Sequence, residues 1–582
     1  MFSGIFFLYS YIFYFLTFNF QRDFNFPSLI VLLLVIVGAG ISAISISEFP
    51  TAFRIRFKKP MLKETRNPVY GFFTLFAIGL GTTIGSPLFV LIPENIYEYF
   101  YVTIISLCLA IVMSYLLAYL YDKMGYYSIK NNLETFGGPS FIRSAHGRSS
   151  LRYFISRFSM WIANTSLASF SVIYFVDFTF TVIDPLVQSI GFSQLDIDLL
   201  SAAIIIFMVV WFIINAFYGK RFIRGIGYTQ IGFLIIMVSI IFTDTLDLGF
   251  KFSWNLSGLS SFHGNLASAI IMNTGYLFIL FFGYQEIQVM ERDSKEEGSI
   301  PILSQIKHKK YPKTKYLPAS MYATIAAAGI IQILYGLAVF SLHANTSSVE
   351  QAVIPAIYLA SEFQNKMWAL MMAFSFLLAT VTTFVPAFMA ASRHLRSLSE
   401  DGIFPRPLAS LSWVFTFILI LFMSFGGTAF LVNITDFMVL VSLSFVALSA
   451  MVLKENSKFD RLSVISLITF LMFMISAISI YMIDRIVVVF GVIALIASFL
   501  LYDILRLKLF GLEVLGAFFG TLSLLSTLVM KSSASPSVLI IGNIAVRSPY
   551  NLLFLQISVL VLVVILLANA ITRYHIERKA IF

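Results

Sequence analysis

The sequence predicts an all-α polytopic membrane protein of about 15–16 spans. Three observations carry that expectation. Apolar residues fill 59% of 582 positions and charged residues only 12%, whereas a soluble domain needs roughly a quarter of its residues charged. The mean hydropathy is +0.89, and the apolar residues fall in runs near the length of about 20 that a helix needs to cross the hydrocarbon. Between those runs the loop charges alternate, basic then acidic, as loops on opposite faces of a membrane should.

Taken in order, two leading segments come first, Ile5–Phe18, which is short, and Leu29–Ser47. Twelve central spans follow: Phe72–Ile92, Val102–Tyr121, Ile155–Val182, Leu199–Phe217, Ile226–Phe242, Leu266–Met290, Leu317–Leu342, Met367–Ser392, Trp413–Val432, Phe437–Leu453, Leu462–Met482 and Ile486–Leu505. Leu512–Met530 and Tyr550–Ile571 close the chain. The high aromatic content, 16% with 62 Phe, suits lipid-facing surfaces and interfacial anchors.

Orientation follows from the loops. Arg54, Arg56, Lys58, Lys59, Lys63 and Arg66 precede the first central span, and Arg143, Arg148 and Arg152, Lys220, Arg221 and Arg224, and Lys307 to Lys315 recur on alternate loops. The intervening loops hold Glu94 and Glu98, Asp184 and Asp196, Asp244 and Asp247, Glu350 and Glu362. Basic loops belong to the cytoplasm, and Arg573, Arg578 and Lys579 put the C-terminal tail there too. The net charge of +10 is therefore spread over loops rather than gathered into a nucleic-acid surface. Cys108 is the only cysteine, which excludes an intrachain disulfide and a thiolate zinc cluster. Met1 to Phe18 lacks the basic start and small-residue cleavage site of a signal peptide. Three Asn-x-Ser/Thr sequons, at Asn255, Asn345 and Asn433, fall in expected outer loops.

Two interruptions lie inside apolar segments. Gly79-Leu80-Gly81-Thr82-Thr83-Ile84-Gly85-Ser86-Pro87 gathers poor helix formers, and Pro87 disfavours helix at Ser86. Two half-helices would result, the second aiming its N-terminal N–H groups at an occupant such as a carboxylate. The alternative is a small-residue packing face. Five spans later Phe281-Phe282-Gly283-Tyr284-Gln285-Glu286 repeats the theme with an embedded acid. Breaks at corresponding places in two five-helix halves point to an inverted repeat with its site at the interface. An odd number of helices per half forces the halves into opposite orientation. Glu286 faces a cavity on this reading; alternatively it ends the helix and reaches for Arg292 or Lys295. Asp177 sits near the outer end of its span and reads as interfacial. The divisions expected are 1–69, 70–242, 266–455, 456–505 and 506–582.

Four local patterns resemble the amino acid–polyamine–organocation superfamily. Gly79 to Phe89 resembles its first-helix signature, usually GxGxxIGSGIF. Gly137-Gly138-Pro139-Ser140-Phe141 through Gly147 resembles GGxYxY…AFG. Phe281 to Gln285, with Lys310-Tyr311-Pro312-Lys313-Thr314 and Leu317-Pro318, resembles FxGFE…KNPxRxxPxA. Arg393-His394-Leu395 with Asp401 to Pro405 resembles RxLxAMARDGLLP. The chain departs from these patterns at Pro87, which replaces a glycine, at Gln285, which stands where Glu is usual, and in the longer loop Glu291–Tyr316.

The resemblance implies a leucine-transporter-type five-plus-five core with extra N- and C-terminal helices, and a plasma-membrane permease for amino acids or related amines. Its substrate's carboxylate would meet Thr82, Thr83, Gly85 and Ser86, and its amine the carbonyls freed at Phe281, Phe282 and Tyr284, with Gly283, Gln285 and Glu286 alongside. In sodium-coupled relatives Thr382 and Thr383 would join carbonyls around Gly79 and Thr82 in an ion site. The alternative is that both threonines bond back to their own helix. No cofactor is implied; Na+ or H+ would serve as coupling ion, the proton at Glu286. A channel would need the breaks to line one pore, a sensor would need a signalling domain, and an enzyme a catalytic cluster in an outer loop that the sequence lacks.

Overall fold

The computed structural model describes residues 69–178, 220–251, 265–502 and 538–547, apart from 132, 134–136, 148–149, 302, 343–345, 405–406, 425–426, 455–459 and 542–543. The expected spans Ile5–Phe18, Leu29–Ser47, Leu199–Phe217, Leu512–Met530 and Tyr550–Ile571 lie outside the described residues, as do the sequons at Asn255 and Asn345 and the Asp177 side chain. The chain divides into a larger part, 65–398 with 406–483, and a smaller one, 1–64 with 399–405 and 484–582.

The larger part begins with a broken span, α1 (Phe72–Thr83) and α2 (Ser86–Tyr99), bent by 43°. Then come α3 (Tyr101–Lys130), the short α4 (Gly138–His146), α5 (Leu151–Phe178) and α6 (Lys220–Lys251). The second half opens with α7 (Leu266–Tyr276), a 3-10 turn (Leu277–Phe281) and the single turn α8 (Glu286–Val289). The long loop that follows is ordered by a two-residue strand pair, β1 (Glu297–Gly298) against β2 (Tyr311–Pro312), with α9 (Leu303–Lys307) between. Next are α10 (Lys313–Phe340), α11 (Thr346–Gln351), α12 (Pro355–Phe363), α13 (Lys366–Glu400), α14 (Pro407–Met423), α15 (Thr428–Ser449) and α16 (Arg461–Ile483). The described portion of the smaller part holds α17 (Arg485–Tyr502) and an antiparallel pair, β3 (Val538–Ile541) with β4 (Ile544–Arg547). Among the described residues seven helices are long and apolar enough to cross a membrane, and eight if the bent pair counts as one span. The chain is an all-helical, multi-span membrane protein apart from these short strand pairs.

Several helices run past the apolar windows that announced them. Glu94 and Glu98 lie within α2, and Asp244 and Asp247 within α6, because hydropathy measures only the portion in oil. One boundary needs correction. The spans expected at Trp413–Val432 and Phe437–Leu453 would leave a loop at 433–436; the chain instead leaves α14 after Met423 and enters α15 at Thr428. Gly427, at φ +75°, makes the turn, a backbone conformation that glycine adopts without strain. Asn433 is consequently not an outer-loop sequon: it is a buried residue inside α15.

Small polar residues join the helices, as expected where lipid supplies no hydrophobic drive between them. Ser156 of α5 and Ser442 of α15 lie hydroxyl to hydroxyl at 2.7 Å, and Ser442 also donates to the Ser156 carbonyl at 3.0 Å. Ser166 donates to the Leu431 carbonyl at 2.9 Å. Gly275 lets α7 reach α16 so closely that a Cβ there would stand 2.9 Å from the Ser476 carbonyl oxygen. Gly275→Ala should cost about 1–3 kcal/mol by overpacking against backbone that cannot swing away. Thermal unfolding of the detergent-purified protein measures this, and an unchanged midpoint would contradict the close contact.

Candidate functional site

The first break is narrower than its glycine content suggests. Ile84 leaves the helix at φ −93°, ψ 64°, Gly85 is extended, and α2 restarts at Ser86. Pro87 occupies the first turn of α2, where a helix has no intrahelical use for the N–H that proline lacks. The hydroxyls of Thr82 and Thr83 donate back to Ile78 O at 2.8 Å and Gly79 O at 2.7 Å. The Ser86 hydroxyl is buried and has no hydrogen-bond partner.

At the second break the chain makes tight turns rather than a fully open strand. Phe282 N–H donates to Ile279 O, Glu286 N–H to Gly283 O and Ile287 N–H to Tyr284 O. The Tyr284 carbonyl is thus occupied and not freed, because the turn closes on it. Among the described residues no turn or loop N–H donates to the carbonyls of Phe281 and Phe282. The two breaks touch at Gly283: a Cβ there would lie 2.5 Å from Thr83 Oγ1, 2.7 Å from Thr83 N and 2.9 Å from Gly79 O. Gln332 of α10 spans the pair, its Nε2 donating to Leu280 O at 2.8 Å and Thr83 O at 3.5 Å.

α13 and α6 close in from another side. Thr382 Oγ1 bonds back to Ala379 O at 3.1 Å, while Thr383 Oγ1 has no partner. A Cβ on Gly85 would stand 2.0 Å from that hydroxyl and 3.2 Å from Thr82 O, so glycine is required by the close approach. Gln230 of α6 donates to Thr382 O at 3.4 Å and leaves its Oε1 unpartnered, 3.0 Å from where a Gly81 Cβ would be. Oxygens from Thr82, Thr383 and Gln230 therefore gather around the first break, a donor set suited to a hard cation. Gly79 O faces the second break instead. Among the described residues no group of three or more His, Cys, Asp and Glu could hold a metal ion.

Glu286 is fully buried and does not reach for the loop. Its Oε1 accepts from Asn164 Nδ2 of α5 at 3.1 Å, and its Oε2 has no partner. Lys295 is exposed, and the Arg292 side chain lies outside the described residues. Gln285 is turned inward, with an unpartnered Nε2 and an Oε1 facing the Gly283 N–H at 3.4 Å. Beneath this level the recurring motifs form a clamp. Arg157 is buried and meets Ser140 Oγ at 2.6 Å and His394 Nδ1 at 3.0 Å. Gly137, at φ +74°, donates its N–H to Gln288 O. Arg393 pairs with Asp293 at 2.5 Å and donates to Val289 O at 3.1 Å, and Lys313 pairs with Glu291 at 2.7 Å. The N–H groups of Val69 and Tyr70 both donate to Asp293 O, which ties the start of α1 into the same cluster. Burial holds the Tyr70 phenol above its ordinary pKa, so it stays neutral there.

Asn164, Gln230 and Asp436 are not among the residues the sequence singles out, and Asn433 is singled out only as a sequon. Asn164 and Gln230 are single amides inside long apolar runs, which was the available signal; Asn433 and Asp436 were assigned to a loop that does not exist.

No family model matches the chain and no curated protein is similar to it. Among solved structures it is similar to a manganese transporter of Eremococcus coleocola, with 12% identity, 78% of this chain and 98% of that one covered, and a TM-score of 0.49. A Na+-coupled sialic acid symporter, in a substrate-bound outward-open state, shows 13% identity over 79% and 97% of the two chains at a TM-score of 0.44. Mhp1, a nucleobase-cation-symport-1 family transporter closed around bromovinylhydantoin, shows 16% identity over 75% and 96% at a TM-score of 0.39.

The contact between Gly85 and Thr383 is open to test. Gly85→Ala should destabilise the fold by about 1–3 kcal/mol, and adding Thr383→Ala should restore part of the loss, giving a coupling of at least about 0.5 kcal/mol in a double-mutant cycle. Strictly additive losses would mean the two residues do not touch.

Proposed function

We propose that the chain is a secondary active transporter, a plasma-membrane permease that moves amino acids or related amines by alternating access. The observation that carries the reading is the crossing of two interrupted spans at Gly283 and Thr83, with buried polar groups beside it left without partners: the Ser86 hydroxyl, the Phe281 and Phe282 carbonyls, and Glu286 Oε2. Unwound backbone is tolerated at membrane depth only where protein, water or a cargo satisfies it.

On this reading the cargo's carboxylate meets Ser86 and the first-turn N–H groups of α2, whose dipole favours an anion. Its amine meets the Phe281 and Phe282 carbonyls. By the motifs' resemblance to the superfamily, the bundle of broken helices would be the moving body against a scaffold containing α5. The Arg393–Asp293 and Lys313–Glu291 pairs tie α13 and α10 to the segment after α8, on the side the charge pattern assigns to the cytoplasm, where they would close the inner side. Coupling is to Na+ at Thr82, Thr383 and Gln230, to a proton at Glu286, or to exchange of a second substrate.

The deciding experiment is uptake into proteoliposomes from a pool of labelled amino acids and amines, under imposed sodium or pH gradients. Saturable uptake is expected; flux that never saturates would reject a carrier in favour of a channel. Ser86→Leu should abolish uptake while the protein still inserts and purifies, and unchanged uptake would remove that residue from the site. Glu286→Gln and Thr383→Ala separate the ions: the first should erase a pH-gradient response, the second a sodium response, each by roughly tenfold or more.

A further inference from the structure

We propose that Asn433 and Asp436 form a seat for a primary ammonium group, R–NH3+, facing the second break. The proposal rests on the transporter reading and deepens it: there the amine met the carbonyls and Glu286 of the second break, and here it gains a further carboxylate from α15.

Asp436 lies in α15, the most enclosed of the long spans, with 89% of its central window buried against 33–61% for the other six. It is 1% exposed, and neither carboxylate oxygen has a hydrogen-bond partner. Among the described residues no lysine, arginine or histidine forms an ion pair with it. The backbone of Ile279, in the 3-10 turn of the second break, faces it without reaching hydrogen-bond geometry. A carboxylate this deep and this bare is strongly unfavourable unless something else supplies its partner. In a membrane such an acid marks a functional path by default.

Asn433 stands three positions earlier on the same helix face, and its Oδ1 is also buried and unpartnered. Thr435 between them is already used, donating to Leu431 O at 2.7 Å. Three unpartnered acceptor oxygens therefore belong to one face of α15: both of Asp436 and one of Asn433. A primary ammonium carries three N–H donors. A trimethylated nitrogen keeps the charge and loses the donors, and a hydroxyl loses the charge.

The surroundings favour an organic cation over a bare metal ion. Tyr276, at the end of α7, lies within electrostatic reach of Glu94, Tyr174 and Asp436. The Tyr174 ring packs against Phe170 at 4.6 Å and Phe376 at 5.8 Å, which puts aromatic surface near Tyr276, and aromatic faces attract cations. A hard ion takes six or more oxygens, and the three here match instead the three N–H donors that a primary ammonium brings.

The test uses the full chain in lipid nanodiscs, with binding read by ligand competition and uptake by the same protein in proteoliposomes. The probes are the common L-amino acids and simple primary amines, each beside its N,N,N-trimethyl form and its hydroxy isostere. For whichever amine binds, the hydroxy form should bind at least about 100-fold and the trimethyl form at least about 10-fold more weakly. Asp436→Asn should shrink the amine-over-hydroxy ratio to below about tenfold. Asn433→Leu should narrow the primary-over-trimethyl ratio and leave the hydroxy penalty in place. Asp436→Glu, which keeps the charge, should retain part of the amine preference, and serves where Asp436→Asn fails to fold.

A folded Asp436→Asn protein with wild-type ratios would overturn the seat. So would a wild-type protein that accepts the hydroxy form equally well, even if its uptake saturates, and then the transporter reading alone survives. Amine-selective binding that Asp436→Asn removes, in a protein that carries nothing across the bilayer, would support the seat and sink the transporter. No binding by any probe would overturn both.

Discussion

Polypeptide that leaves the helix inside a bilayer exposes N–H and C=O groups that lipid cannot satisfy, and the rest of this structure is arranged around that debt. Each break has a dedicated set of compensators. At the first, threonine hydroxyls fold back onto carbonyls of α1. At the second, the chain closes turns on itself, with Phe282 N–H on Ile279 O, Glu286 N–H on Gly283 O and Ile287 N–H on Tyr284 O. Gln332 then reaches from α10 to both. The unpartnered side-chain atoms that remain beside the breaks include Ser86 Oγ, Thr383 Oγ1, Gln230 Oε1 and Glu286 Oε2.

The second consequence is distance. For the breaks to serve one site they must approach backbone to backbone, and glycine is the residue that permits it. Gly283 meets Thr83 where the two breaks cross, and Gly85 meets Thr383 of α13, each too closely for a Cβ. The same logic, with less severity, places Gly275 against Ser476. Polar residues do the complementary work, holding α5 to α15 through serines where apolar contacts with neighbouring helices gain little over contacts with lipid.

Charge is distributed by depth. Toward the end that carries the basic loops, acids have bases: Asp293 with Arg393 and Glu291 with Lys313. In the middle they do not. Glu286 has one amide for company and Asp436 has no bonded partner. Partly buried pairs at the ends can hold a conformation shut and still open at modest cost, since water reaches them when they part. Unpaired acids in the middle have no such recourse, so a positive charge or a proton has to come to them. That contrast separates an end where the charges are paired from a middle where they are not.

Much of this was legible in the sequence. Apolar runs and alternating loop charges define a multi-span helical protein, because both follow from transfer between water and oil and need no partner residue. The two breaks were equally visible, since glycine, threonine and proline act on their own backbone. The motifs at Gly137 and Arg393 could be recognised as patterns, but their clamp could not, because it joins Arg157, His394 and Asp293 from separate stretches. Tertiary structure alone decided which carbonyls stay open, that Gln230 faces Thr382, and that Asn433 and Asp436 lie inside a helix. Hydropathy treats a polar residue as a visitor to water, and only the packing of neighbouring helices shows when it is instead buried and turned toward a partner.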